Sequence, residues 1–337
     1  MDMSLRGCSQ TCRGFLLLVS AAVSAVALSA SDLVQPPPNE TRNPSPLTLG
    51  VLRRDGLLAP FASYDGDDWS APWPEPGQAS ALPISLDAIP RKWWGAAGRD
   101  VPWTAWLTGG TTRPLKLVSP VVIPVFCSTR LAIKTDYRGG AFERLEPTVP
   151  KDGLAIGGTA SLLPIETVPR DSADARDALR LITDDFNKEE KLAALRFTRW
   201  KHPVPEGARR EVPIEIEAFY RTSDKTHRGA WTTKYVEAVR KFPPGPKDQG
   251  CGLITYARAW IHQQAGGKPR VDLGARVTYC DRADVSFMLP FGRLLLRDDV
   301  YWVYQTSSWR DELYTVAHVT PKEVRPVVTV SGGLCFR

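Results

Sequence analysis

Cys251-Gly-Leu-Ile-Thr-Tyr-Ala-Arg-Ala-Trp-Ile-His262 leads into a Gly266-Gly267 pair, and the chain returns as Val271-Asp-Leu-Gly-Ala-Arg-Val-Thr-Tyr-Cys280. Two runs rich in β-branched and aromatic residues around a Gly pair are how an antiparallel hairpin looks in sequence. Alternation sorts the first run into two faces. Ile254, Tyr256, Arg258, Trp260 and His262 share one face. Leu253, Thr255, Ala257, Ala259 and Ile261 take the other, and this small, aliphatic set is expected to face a core. Cys251 stands fifteen residues before Gly266 and Cys280 thirteen after Gly267. A hairpin about that turn brings them to similar height on adjacent strands, within the ~4.4–6.8 Å Cα separation of a disulfide.

Further strand-like runs follow at Val285–Leu296 and Val300–Val319, and earlier ones at Leu49–Leu52, Leu57–Tyr64, Val121–Ile123, Val125–Ile133 and Val212–Tyr220. Arg53-Arg54-Asp55-Gly56 joins the first two of these earlier runs, because Asp-Gly supplies the backbone a tight turn needs. Trp231–Phe242 fits strand and helix spacing equally. Ser172–Phe197 is the helical region: Asp171 or Ser172 can cap it, Ala175, Leu179, Ile182 and Phe186 draw one apolar stripe, and Asn187 is a candidate break. Lys151-Asp-Gly-Leu loosely echoes Arg54-Asp-Gly-Leu, as does Arg297-Asp-Asp-Val, which hints at repeated hairpin units. The expected fold is therefore mainly β, built from antiparallel hairpin units in a β-propeller-like arrangement, with a β-sandwich pair as the alternative and one helical insertion near 172–197.

Residues 1–30 have the form of an export signal. Arg6 and Arg13 precede an apolar run that begins at Gly14 and ends in small residues. Residues 31–46, with Pro36-Pro37-Pro38, Pro44 and Pro46, form a Pro-rich linker. Three blocks follow: an N-terminal β block at 47–150, a middle β/helical block at 151–245, and a C-terminal disulfide-stapled β block at 246–337 that begins after Pro243-Pro244-Gly245-Pro246. No other segment approaches membrane-spanning length, so a secreted or periplasmic protein without a membrane span after cleavage is expected. Four of the six Cys lie beyond the signal. With Cys251 assigned to Cys280, elimination pairs Cys127 with Cys335.

The 337-residue chain is 43% hydrophobic and 24% charged, which excludes disorder for most of its length. Its net charge of +6 resides in one stretch: Arg196 to Lys247 holds twelve Lys and Arg against six Asp and Glu. Glu211, Glu215, Glu217 and Glu237 are interleaved there, so a solvated face is expected rather than a nucleic-acid surface. No catalytic nucleophile motif or phosphate loop is present, and the four His are never three to five residues apart. Neither a metal nor a cofactor is expected. Asp65-Gly66-Asp67-Asp68 lacks the rest of a calcium loop and reads as a solvated turn.

Eleven Trp is several times the usual share of roughly one in a hundred. Six of them, Trp69, Trp73, Trp93, Trp94, Trp103 and Trp106, fall within forty residues between prolines. Indole stacks on the apolar face of a sugar ring, which makes Trp93, Trp94, Trp103 and Trp106 the candidate ligand-binding residues. Packing of an irregular segment onto a β core is the competing reading. The function expected from sequence is an exported binding or interaction protein recognising carbohydrate or another cell-envelope component. The alternative is a secreted polysaccharide hydrolase, whose paired carboxylates would come from Asp281, Asp284, Asp298, Asp299, Asp311 and Glu312.

Overall fold

A computed structural model describes residues 45–78, 83–142, 149–196, 202–244 and 252–335. Residues 1–30, expected to be an export signal, and most of the residues expected to form a Pro-rich linker lie outside the described residues, as does Cys251. Among the described residues no helix is long and apolar enough to cross a membrane.

The Asp-Gly turn joins β1 (Leu47–Arg53) to β2 (Leu57–Tyr64) as expected, and the Arg53 guanidinium grips the Asp55 carboxylate across it at 2.6 Å. After β3 (Trp69–Ser70) come β4 (Trp103–Leu107), β5 (Thr112–Leu115), β6 (Leu117–Val125), β7 (Ser128–Thr135) and β8 (Lys151–Gly157). All eight form one antiparallel sheet in the order β5-β4-β8-β1-β2-β7-β6, with β3 added alongside β2. Only Lys116 separates β5 from β6, although these strands stand at opposite ends of the order. The sheet must therefore curl until its edges come close there, giving a half-barrel. Pro114, Pro120 and Pro124 on β5 and β6 remove ladder donors, which guards these edges against pairing with another chain. Sequence placed one strand over Val125–Ile133. The chain instead turns at Phe126-Cys127, where Phe126 adopts a φ of 50°.

The short strands β9 (Leu162–Leu163) and β10 (Glu166–Thr167) precede the helix α1 (Ala173–Arg196) and a single turn, α2 (Glu206–Glu211). The remaining strands are β11 (Glu215–Thr226), β12 (Gly229–Lys241), β13 (Leu253–Gln264), β14 (Arg270–Tyr279), β15 (Phe287–Leu296), β16 (Asp299–Ser307), β17 (Asp311–Val319) and β18 (Val324–Leu334). They pair as two five-stranded antiparallel sheets, β10-β11-β12-β13-β14 and β18-β17-β16-β15-β9. A propeller needs small four-stranded blades set around an axis. Here hairpins of nine to thirteen residues per strand bury both faces and stack as layers, so the propeller expectation is corrected.

Strand parity sets the order of the layers. On β16, Tyr301 and Val303 point to the half-barrel, where they join Leu49, Phe61 and Leu154. Val300, Trp302 and Tyr304 point the other way, onto Trp231, Tyr235 and Trp260 of the β10–β14 sheet. The opposite face of that sheet carries Ala257, Ala259 and Ile261 beneath α1, as alternation predicts. The aromatic face of β13 is thus also covered in part, by the β15–β18 sheet. Ser172 caps α1, its hydroxyl accepting the Ala175 N–H at 3.1 Å. Asn187 does not break the helix. Its side-chain oxygen accepts a hydrogen bond from buried Arg240 at 2.9 Å, and the same guanidinium pairs with Glu190 at 2.6 Å.

The hairpin read from Cys251–Cys280 forms in register, from Leu253 opposite Tyr279 to His262 opposite Arg270. The Cys280 N–H donates to the Gly252 carbonyl at 3.0 Å, and Cys280 is disulfide-bonded. Cys127 and Cys335 are bridged with a Cα separation of 4.8 Å, tying the β6–β7 turn to the end of β18.

Candidate functional site

The segment between β3 and β4 is too rich in proline to extend a ladder, and it fills the half-barrel with aromatic rings instead. Trp94 is 1% exposed, Trp103 4% and Trp73 5%. Trp73 meets Trp94 edge to face at 5.1 Å between ring centroids, and Trp94 meets Trp103 at 6.5 Å. The Thr48 hydroxyl of β1 donates to the Trp94 carbonyl at 2.8 Å and fixes the plug to the barrel wall. Gly157 of β8 lies directly under the Trp103 indole: a Cβ there would stand 2.7 Å from the ring, so only glycine leaves room for it.

The four candidate Trp do not form one surface. Trp93, Trp94 and Trp103 gather inside the half-barrel. Trp106, three residues beyond Trp103 on β4, takes the opposite parity and packs toward the β15–β18 sheet.

At the mouth of the half-barrel, where β5 passes into β6, a cavity of about 650 Å³ opens beside the plug. Its apolar wall is Leu86, Val101, Leu115 and Leu117, with Trp103 at its inner end. Ile84, 95% exposed, and Val118, 49% exposed, stand at its rim. Arg99 is held there by Asp87 and by Asp100, the latter at 2.8 Å. The Trp103 indole N–H is buried with no hydrogen-bond partner among the described residues. Sequence patterning missed this site, because Ile84 and Val118 belong to no periodic stripe and three separate segments supply its wall.

Of the candidate carboxylates, Asp299 and Glu312 stand far apart. Asp299 opens β16, whereas Glu312 of β17 faces Ser307 at that strand's other end. Eight residues of strand separate the two positions by about 26 Å, against the ~5–10 Å a glycosidase pair requires. Asp299 accepts from His318 at 3.0 Å and from Arg228 at 2.9 Å, while Asp298 lies 3.3 Å from His227. Beside them the Tyr301 hydroxyl is pushed up to about 12, first by burial and then by the Asp299 charge. Glu312 is ion-paired to Lys151. The Asp281 side chain accepts the Ala283 N–H within its own turn. The Asp65 carboxylate accepts the N–H groups of Asp67 and Asp68 at 2.8 Å each, so that turn is held by its own backbone.

Among the described residues, several cations of the basic middle of the chain are ion-paired. Arg209 and Arg240 share Glu190, Arg221 meets Glu166 and Asp174, and Lys241 meets Glu215.

Burial lowers the affinity of two imidazoles for a proton. His262 lies between the layers and is 2% exposed; burial, then the charge of Arg270, holds it below the ordinary value near 6.5. His202 is depressed by burial and by Arg209. A folded state that keeps these rings neutral binds fewer protons than the unfolded chain as the pH falls below about 6.5. Their contribution to stability is therefore complete above that pH and is lost progressively beneath it. Glu237 is shifted the other way: burial raises its carboxyl despite hydrogen bonds from the Met288 N–H and two tyrosines. It stabilises most below the ordinary carboxylate range, and that contribution fades as pH rises through its folded value. The histidines and Glu237 act in opposite directions between pH 7.5 and 5, so the test compares slopes: removing the depressed imidazole with His262→Gln should make the urea midpoint fall less, or rise more, across this range than in the parent, and an unchanged slope would refute the assignment to His262.

No protein-family model, curated protein or solved structure matches this chain.

Proposed function

We propose that the protein is an exported, non-catalytic binding module for a cell-envelope component, and that the mouth of the half-barrel holds the apolar part of its ligand. The cavity beside the tryptophan plug carries this reading. It is an open depression with aliphatic side chains along one wall, rimmed by Ile84 and Val118 together with the Asp87–Arg99–Asp100 cluster. Ligand sites combine an apolar wall with a few convergent polar groups, and such a rim suits an amphiphile with a polar head. Export rests on the signal-like residues 1–30. The carbohydrate expected from the tryptophan content enters as the head of such an amphiphile rather than as a sugar stacked on Trp94 or Trp103, whose rings are enclosed.

Dodecyl maltoside below its micellar concentration is the probe, with free maltose as the control. Binding of the first and not the second, followed by tryptophan fluorescence, is the expected result. Ile84→Asp and Val118→Asp should weaken it about tenfold or more, and the melting temperature should stay within the small range of surface changes. Equal binding of maltose would place recognition on the sugar alone, and no response to either probe would overturn the reading.

A further inference from the structure

The exposed half of the β13–β14 hairpin carries a second concavity, separate from the half-barrel mouth. Arg258 of β13 stands directly opposite Gly274 of β14, and Tyr256 stands opposite Arg276. Arg258 and Arg276 therefore project from the same face as diagonal neighbours, with Gly274 between them. A cleft of about 260 Å³ lies here, walled by Val285 and Ser286, with the Tyr256 ring at its base. Nothing lies within 4 Å of the place a Gly274 Cβ would occupy, so a ligand can approach the strand backbone there.

The two arginines are available in different degrees. Arg258 is exposed, its charge bears on the tyrosines Tyr235, Tyr256 and Tyr304, and no carboxylate is seen ion-paired to it among the described residues. Arg276 uses one amino group on the Asp284 carbonyl at 2.7 Å, and the rest of its guanidinium remains. The nearby Arg282 is not available, because Glu217 clamps it at 2.6 and 2.5 Å. A guanidinium pair of this kind matches the planar fork of a carboxylate. One acidic residue, Asp284, lines the cleft, and a second, Asp272, stands outside its lining, one pleat beyond Gly274 on the same face. Their carboxylates repel a compact dianion such as a phosphate monoester, yet accept hydrogen bonds from hydroxyl groups. A ligand meeting both demands carries one carboxylate and several hydroxyls.

We propose that the Arg258–Gly274–Arg276 cleft binds a uronic-acid residue of an acidic polysaccharide, the carboxylate meeting the two arginines and the hydroxyls meeting Asp272 and Asp284. A volume of about 260 Å³ suits a single sugar unit of such a polymer. The inference does not depend on the half-barrel mouth.

Calorimetric titration of the full chain with oligogalacturonate tests it, using the neutral galactose oligomer and sodium phosphate as controls. Binding of the acidic oligomer alone is expected, without competition from equimolar phosphate. Arg258→Gln should weaken it about tenfold or more, the effect of losing one charge-assisted interaction. Gly274→Val fills open space in an exposed strand position, so it should leave the fold intact and abolish binding. Ile84→Asp should have no effect, which keeps this site distinct from the half-barrel mouth. Four results would overturn the proposal: no binding of the acidic oligomer, equal binding of the neutral one, displacement by phosphate, or undiminished affinity in both cleft variants.

Discussion

Trp103→Ala lowers the stability of the protein by about 3–5 kcal/mol, the range for emptying a buried aromatic site. The ring is 4% exposed, lies against Gly157 on one side and meets Trp94 on the other, so neighbouring side chains cannot collapse into the vacated space without breaking the plug. A cavity that does not collapse adds its own penalty to the lost transfer energy. Trp94→Ala falls in the same range, since that ring is 1% exposed and also touches Trp73. Trp106→Ala costs less, because its half-buried ring faces the other side of the sheet. Chemical denaturation followed by circular dichroism measures all three. If Trp103→Ala left the denaturation midpoint unchanged while removing ligand binding, the ring would be a platform and not packing.

Local features of the chain were legible before its architecture was. The Asp-Gly hairpin of β1 and β2 and the Leu253–Tyr279 hairpin depend on alternation and turn chemistry within thirty residues, and both form as read. The cap and stripe of α1 depend on spacing within one helix, and they too form. The layering does not follow from such signals. β8 inserts between β4 and β1, more than forty and nearly one hundred residues away in sequence, and β9 contributes two residues to a sheet whose other strands begin at Phe287. Pairings of that range are fixed by burial of both sheet faces, which no periodicity encodes. The same reason hid both proposed sites. Alternation places Arg258 on the aromatic face of β13, but whether that face is open depends on how far the β15–β18 sheet extends across it. Trp103 and Trp106 illustrate the converse: their clustering in sequence is real, and strand parity then sends them to opposite faces.

Breaking the ion pair between Lys151 and Glu312 is expected to cost as much as removing Trp103. The Lys151 ammonium of β8 lies 2.7 Å from a Glu312 oxygen of β17, and both side chains are almost fully buried where the half-barrel packs on the β15–β18 sheet. Around them the Lys151 ammonium also donates to the Val149 carbonyl at 2.8 Å, and the Gln305 amide donates to Glu312 at 3.2 Å. The Tyr314 hydroxyl donates to the other Glu312 oxygen, and the Arg130 guanidinium lies 5.3 Å from the centre of the Tyr314 ring. Burial pulls the lysine below its ordinary value and Glu312 opposes that pull, so each charge is tolerated only because of the other. Lys151→Met leaves the buried Glu312 carboxylate without its direct ion-pair partner, with only the more distant Arg130 charge to offset it, and Glu312→Leu strands the ammonium. Each single change should lower stability by about 3–5 kcal/mol. The double variant removes both charges and fills the space with apolar atoms, so it should be far less damaged than the sum of the two. A double-mutant cycle from urea midpoints measures the difference. Coupling near zero would mean that the layers are held by apolar packing alone, with this pair contributing nothing to how they dock. A large coupling would identify it as the polar lock that fixes the half-barrel against the β15–β18 sheet in one register.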